Sequence, residues 1–273
     1  MRRVTRRMYR RRRRVRILLG ALVIVLVIIA LMAWRAPDFR VEGLLTAQTP
    51  TPEPTADRTV TTMELHLPAQ TWYTIQTGVF STKEAALDKA DDYADRGAPG
   101  TVVSSGGKWR VFIAGYGRED DAASVRRRLG EMQRVETYLY AWECPEVRLR
   151  LTGPAAQLDA AAAGMTLLQG AAEVMRDTAT LLDASQLTME DARVELEELD
   201  GQLSLWLKTA AAAFGSSVPD MVKTLTAMAE DAMTRIASVK SAPSAAALSS
   251  TLKGNGMQLY DAMVTLRLGL LGQ

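Results

Sequence analysis

The sequence predicts an α+β protein in three parts. A single N-terminal transmembrane helix comes first, then a split βαβ (βαββαβ, ferredoxin-like) sheet domain, then an all-α four-helix bundle. Three observations carry this. Residues 17–34 are uncharged and apolar, residues 71–146 contain a two-fold repeat, and the chain beyond Pro154 has apolar residues spaced three and four apart.

The transmembrane expectation rests on length and charge. Ile17 to Trp34 read ILLGALVIVLVIIALMAW. At about 1.5 Å per residue this run spans roughly 27 Å, close to a thin hydrocarbon core. The first 16 residues hold ten Arg and no acid, whereas only Arg35 follows the run directly. That step places residues 1–16 in the cytoplasm and everything after Trp34 outside it. The apolar run exceeds the usual signal-peptide core, and no A-x-A cleavage site follows, which favours an uncleaved anchor. Residues 35–70 lack periodicity, and their QTPTPEPTAD stretch at 48–57 favours extended chain, so this segment reads as a linker.

Within 71–146 the two halves align without a gap at an offset of 36. Gln76 falls on Phe112, Ile75 on Val111, Phe80 on Tyr116 and Ala86 on Ala122. Each half reads as strand, turn and helix. The first helix is expected from about Thr82 to Asp95, stopping at Arg96-Gly97. The second is expected from about Glu119 to Gln133, with Ala123, Val125, Leu129 and Met132 as apolar positions. A strand around Val102-Val103 ends in a Gly-Gly turn, and TYLYAWE at 137–143 is strand-like. The order is a four-stranded antiparallel sheet with both helices on one face.

Strand alternation sorts that sheet. Tyr73, Ile75, Val111, Ile113 and Leu139 face the helices. Trp72, Gln76, Arg110, Phe112, Tyr138, Tyr140 and Trp142 face away. Left open, such an aromatic set marks a binding surface. Alternatively, the C-terminal helices cover it as core.

The motif Gln76-x-Gly78-x-Phe80-Ser81 with Ala86, then Trp109-Arg110-Val111 with Tyr116 and Ala122, resembles the SPOR (sporulation-related repeat) domain. The second copy departs from the family at Ala114 and Tyr116, where Gly and Phe are usual. The resemblance implies binding of peptidoglycan glycan strands, with preference for strands stripped of stem peptides. It also implies a single-pass protein working outside the bacterial cytoplasmic membrane, in cell division or sporulation. The family's first-strand Gln maps to Gln76, and its fourth-strand aromatics map to Tyr140 or Trp142. Flat rings pack on pyranose faces, so Trp72 and Phe112 join the expected glycan-binding set. Arg110 is a candidate grip for the lactyl carboxylate of a stripped muramic acid.

The C-terminal seams are Leu158 to Leu182, Ala192 to Ala213, Val222 to Val239 and Leu248 to Leu270. Their spacing and short connections predict an antiparallel bundle over 154–273. Ser217 is the expected cap of the third helix, and Gly254-Asn255-Gly256 an expected break in the fourth.

Composition closes several function classes. The chain has 273 residues, one Cys (Cys144) and one His (His66). A disulfide framework, a His/Cys zinc site and a His-based catalytic triad are therefore excluded within the chain. Cys144 is expected to be a small, at least half-buried residue, and His66 to lie idle in the linker. No enzyme activity and no cofactor are expected. Residues 71–150 balance 12 basic against 12 acidic side chains, and residues 151–273 carry 8 against 14. That balance argues against nucleic acid as a partner. The expected partners are glycan strands and membrane lipid, with another extracytoplasmic protein as a candidate for the C-terminal helices. The alternative function is a regulator or activator of cell-wall hydrolases acting through those helices.

Overall fold

A computed structural model describes residues 60–272. The Arg-rich tail at 1–16, the transmembrane expectation at 17–34 and the linker up to residue 59 lie outside the described residues. No helix among the described residues is long and apolar enough to cross a membrane.

The described chain begins with strand β1 (Val60–Leu67), followed by β2 (Gln70–Phe80) and helix α1 (Lys83–Ala94). Next come β3 (Thr101–Ser105), β4 (Lys108–Tyr116), α2 (Glu119–Gln133), β5 (Tyr138–Cys144) and β6 (Val147–Pro154). The bundle is α3 (Ala155–Asp183), α4 (Met189–Phe214), α5 (Asp220–Lys240) and α6 (Ala245–Leu271).

The repeat folds as its pattern requires. One antiparallel sheet runs in the order β3-β4-β2-β5. Thr82 caps α1 by accepting from the Ala85 N–H, and Gly97 takes a positive φ of 83° just beyond it. Ile75, Ile113 and Ala114 pack with Tyr93 and Ala122, while Val111 packs with Ala86 and Ala90. Small helix residues let the two helices lie close on the strands. At Gly100 a Cβ would sit 2.2 Å from the Ala90 carbonyl oxygen, so only glycine permits that approach of β3 to α1.

Two expectations about this domain are corrected. The linker does not reach residue 70: Val60–Leu67 form β1 and pair antiparallel with β6 as a separate two-stranded ribbon. The alternation Met63-Leu65-Leu67 against Val147-Leu149-Leu151 is the physical reason, since it lays one apolar side toward the bundle. His66 therefore sits in a strand, with Nε2 3.2 Å from Glu146. In α2, Met132 is not an inward position; it is 79% exposed, while Ala122 carries the contact.

In the bundle, every position of the first and third seams is buried. α6 runs antiparallel to α3: Ser249 donates to the Ala179 carbonyl at one end, and Arg267 to Gln169 at the other. α4 is likewise antiparallel to α3, with Thr178 bonded to Glu195 and Gln157 to the Ala213 carbonyl. The Trp206 ring lies against Gly164 and donates to the Ala160 carbonyl at 2.8 Å. Thr188 and Ser244 cap α4 and α6 through their hydroxyls. Ser217 is not the cap of α5; Pro219 occupies that position without a side-chain bond. Nor does Gly254-Asn255-Gly256 break α6. A Cβ on Gly254 would sit 3.1 Å from Pro99, and one on Gly256 3.3 Å from Met175, so these glycines serve close packing.

Candidate functional site

Alternation placed the side chains of the second sheet face correctly. Trp72, Thr74, Gln76, Phe112 and Trp142 all point away from α1 and α2. Gln76 pairs with Phe112 across β2 and β4, beside irregularities that leave Ile113 and Thr77 unpaired in the ladder. The Thr77 hydroxyl donates to the Val111 carbonyl at 3.3 Å, which occupies one acceptor at the irregular stretch.

The face is not open. Trp72 is 1% exposed, Phe112 0% and Trp142 4%, because α3 and α6 lie across it. The alternative that the C-terminal helices cover this face is the observed one. Tyr260 of α6 stacks on Trp72 at 4.4 Å between centroids and meets Trp142 edge-on at 5.0 Å. Its hydroxyl donates to the Trp142 carbonyl at 2.9 Å and approaches the Gln70 carbonyl at 3.2 Å. Burial pushes the Tyr260 phenol pKa well above its ordinary value. From α3, the Arg176 guanidinium lies 4.8 Å from the Trp72 ring centre. Gly115 makes room: a Cβ there would meet the Trp72 ring at 3.0 Å.

Toward the β3–β4 turn, at the end of the sheet, the side chains are more exposed and the face becomes polar. Arg110 Nη1 donates to Gln76 Oε1 at 2.7 Å, and the guanidinium lies 4.5 Å from the Tyr140 ring centre. The Tyr140 hydroxyl bonds the Ser105 hydroxyl at 3.2 Å, and its ring stacks on Phe112 at 5.6 Å. Arg110 and Tyr140 are half-buried, Gln76 is buried and Tyr138 is exposed. The expected residues thus divide. Gln76, Arg110 and Tyr140 form one bonded cluster at the rim, while Trp72, Phe112 and Trp142 lie beneath the helices.

Residues that sequence reasoning missed sit opposite this face. Arg267 is fully buried on α6 and donates to the carbonyls of Pro68 (2.8 Å) and Pro145 (3.0 Å). A signal existed, because Arg267 continues the apolar seam from Leu259 and Met263, and a charge on a core stripe needs a buried partner. Tyr260 carried no comparable signal. Cys144 is buried as expected, and burial raises its thiol pKa.

Neither a curated protein nor a solved structure matches the chain. Residues 69–139, which span β2 through the start of β5, match the family model of the SPOR domain. The chain therefore contains a SPOR domain over residues 69–139, and SPOR domains as a family are peptidoglycan-binding modules.

Proposed function

We propose that this chain binds glycan strands of peptidoglycan without catalysis, through the second face of its SPOR sheet. The observation that carries the reading is the SPOR match, which covers Gln76 and Arg110 and ends one residue before Tyr140, at the rim of that face. The chemistry suits a sugar polymer. Tyr140 offers a ring for a pyranose face, the Gln76 amide offers donors and an acceptor, and Arg110 offers a fork for a lactyl carboxylate. Trp72, Phe112 and Trp142 continue the same face inward. Stripped strands are the favoured substrate because they leave that carboxylate free.

The proposal places the module outside the bacterial cytoplasmic membrane, tethered through residues 17–34, in division or sporulation. Its support is the charge step between residues 1–16 and Arg35. The test is sedimentation of the detergent-solubilised full chain with purified sacculi, before and after amidase treatment. Binding that rises after amidase treatment and falls about tenfold in Gln76→Ala or Arg110→Ala supports the reading. A chain that stays in the supernatant in both cases defeats it. The topology is checked by protease restricted to the cytoplasm, which should reach only the Arg-rich tail.

A further inference from the structure

The aromatic half of the proposed glycan face is buried, yet its cover has the features of a removable one. Resting on the glycan-binding reading, we propose that the bundle together with the β1–β6 ribbon is a shutter. It pivots at Pro68 and Pro145 to uncover Trp72, Phe112 and Trp142 for the glycan.

The pivot follows from the strand ladder. The ribbon's last pair is Leu67 with Val147, and the sheet's first pair is Gln70 with Cys144. Between them the two chains cross side by side as Pro68-Ala69 and Pro145-Glu146. Proline has no N–H to give a ladder, so pairing lapses at this level in both chains. The ribbon belongs with the bundle: Leu151 packs with Ala160, Ala161, Phe214 and Val222, and β6 runs directly into α3 at Pro154. The sheet and the bundle are thus joined by two short crossings at one place.

The latch is Arg267. It bonds both proline carbonyls at the pivot, and it has no ion-pair partner among the described residues. Its third bond goes to the Gln169 amide oxygen on α3, so the buried guanidinium has only neutral acceptors, and the closed state carries a desolvation cost that opening relieves. Among the described residues, three buried donors in or beside the covered face, Trp72 Nε1, Arg110 Nε and Arg267 Nε, have no acceptor, as also holds for Arg193 Nε in the bundle. A finished core satisfies its donors. Two of these three, on Trp72 and Arg110, lie on the sheet side and await an acceptor-rich ligand such as a chain of hydroxyl, ether and acetamido oxygens. Tyr260 meanwhile holds the position a pyranose would take, flat on Trp72 with its hydroxyl on the Trp142 carbonyl.

The test locks the shutter in the full chain. A Cβ on Gly254 of α6 would lie 3.1 Å from the Pro99 Cβ beside β3. A small shift brings that pair into the range of about 3.5–4.5 Å that a disulfide needs, so Pro99→Cys with Gly254→Cys joins the bundle to the sheet. Neither residue belongs to the proposed site. Two readouts are taken in the oxidised and reduced forms: sedimentation with amidase-treated sacculi, and iodoacetamide labelling of Cys144, located by peptide mass. Cys144 is buried beneath α6, so its labelling reports opening without any glycan. Oxidation should slow Cys144 labelling and weaken sacculus binding, each at least tenfold, and reduction should restore both. Leu225→Ala separates opening from global unfolding. It lies within α5, away from the sheet, and should lower the melting temperature without speeding the labelling.

Equal Cys144 labelling in the two forms overturns the shutter. Slowed labelling with unchanged sacculus binding also overturns it, since binding then uses the rim alone. Slowed labelling in a protein that never binds sacculi defeats the glycan reading and keeps the hinge.

Discussion

The two faces of the SPOR sheet carry apolar side chains of similar bulk and are buried in different ways. One face packs Ile75, Val111 and Leu139 against the two helices of the repeat itself, using Ala86, Ala90 and Ala122 as flat contacts. The other packs Trp72, Phe112 and Trp142 against Tyr260, with hydrogen bonds that close loops of 118 and 190 residues. The first is a local core in which aliphatic side chains pack with Tyr73, Tyr93 and Tyr116. The second is a long-range, aromatic interface that includes a fully buried arginine and donors without a partner among the described residues. A face can thus be buried as deeply as a core without being composed like one.

The largest effects test whether the two faces melt together. Ile75→Ala should cost about 2–4 kcal/mol of unfolding free energy, because it empties a fully buried site against α1 and α2. Trp72→Ala should cost about 3–5 kcal/mol, since the ring is buried and stacked on Tyr260. Urea unfolding followed by circular dichroism measures both. A single transition in each variant means the faces share one cooperative unit. Two transitions in Trp72→Ala alone would make the bundle a separately stable body, which sharpens the contrast.

A smaller effect concerns pH. Asp261, next to Tyr260 on α6, has its carboxyl pKa raised by burial from 3.8 to about 6. The folded protein therefore holds this proton more tightly than the unfolded chain does. Stability should fall as pH rises from about 4 through about 6, and the loss should persist at neutral pH. Partial solvation keeps it to about 1–2 kcal/mol. Asp261→Asn should recover that amount at pH 7 and flatten the profile between pH 4 and 6. A wild-type profile already flat there would show the carboxyl to be as well hydrated in the folded chain as in the unfolded one.

Next in size is Tyr260→Phe, which keeps the ring on Trp72 but leaves the buried Trp142 carbonyl without its side-chain donor. A cost of about 1 kcal/mol is expected, the scale of one lost hydrogen bond. A cost much nearer that of Trp72→Ala would mean that the hydroxyl, and not the stacking, holds α6 on the sheet.

The local face was legible in the sequence, and the distant one only in part, for a physical reason. Strand period and the 36-residue repeat determine which side each residue takes, so Ile75 and Trp72 were separated correctly. Every position that periodicity assigned to the α3 and α5 seams is buried, while Ala160, Gly164, Ala171, Thr178 and Met228, buried beside them, lay off the stripe. Neither pattern says what lies opposite a face, because that depends on contacts such as Arg267 with Pro68, 199 residues apart. The ribbon was missed because Pro68 and Pro145 interrupt strands that otherwise alternate, which made residues up to 70 look like linker. Gly254 and Gly256 misled in the same manner. Without knowledge of Pro99 and Met175 beside them, glycine in a helix reads as a break.

The smallest expected effect tests the local face at the point where periodicity overreached. Met132 falls one turn after Leu129 and so lies on the extension of the inward stripe of α2. Yet it is 79% exposed, one residue before the helix ends. The chain leaves α2 through Arg134 in the left-handed region, φ 53°, and Val135 takes the inward place with its N–H on the Leu129 carbonyl. The reversal thus supplies the side chain that another helical turn would have supplied, and Met132 is left over water. Met132→Ser should therefore change stability by no more than about 0.5 kcal/mol. Val135→Ala should cost about 1 kcal/mol, since it removes part of a half-buried side chain from the same cluster. The reverse ranking by urea unfolding would restore Met132 to the core, and the local face would then extend to the last turn of α2 as its spacing suggests.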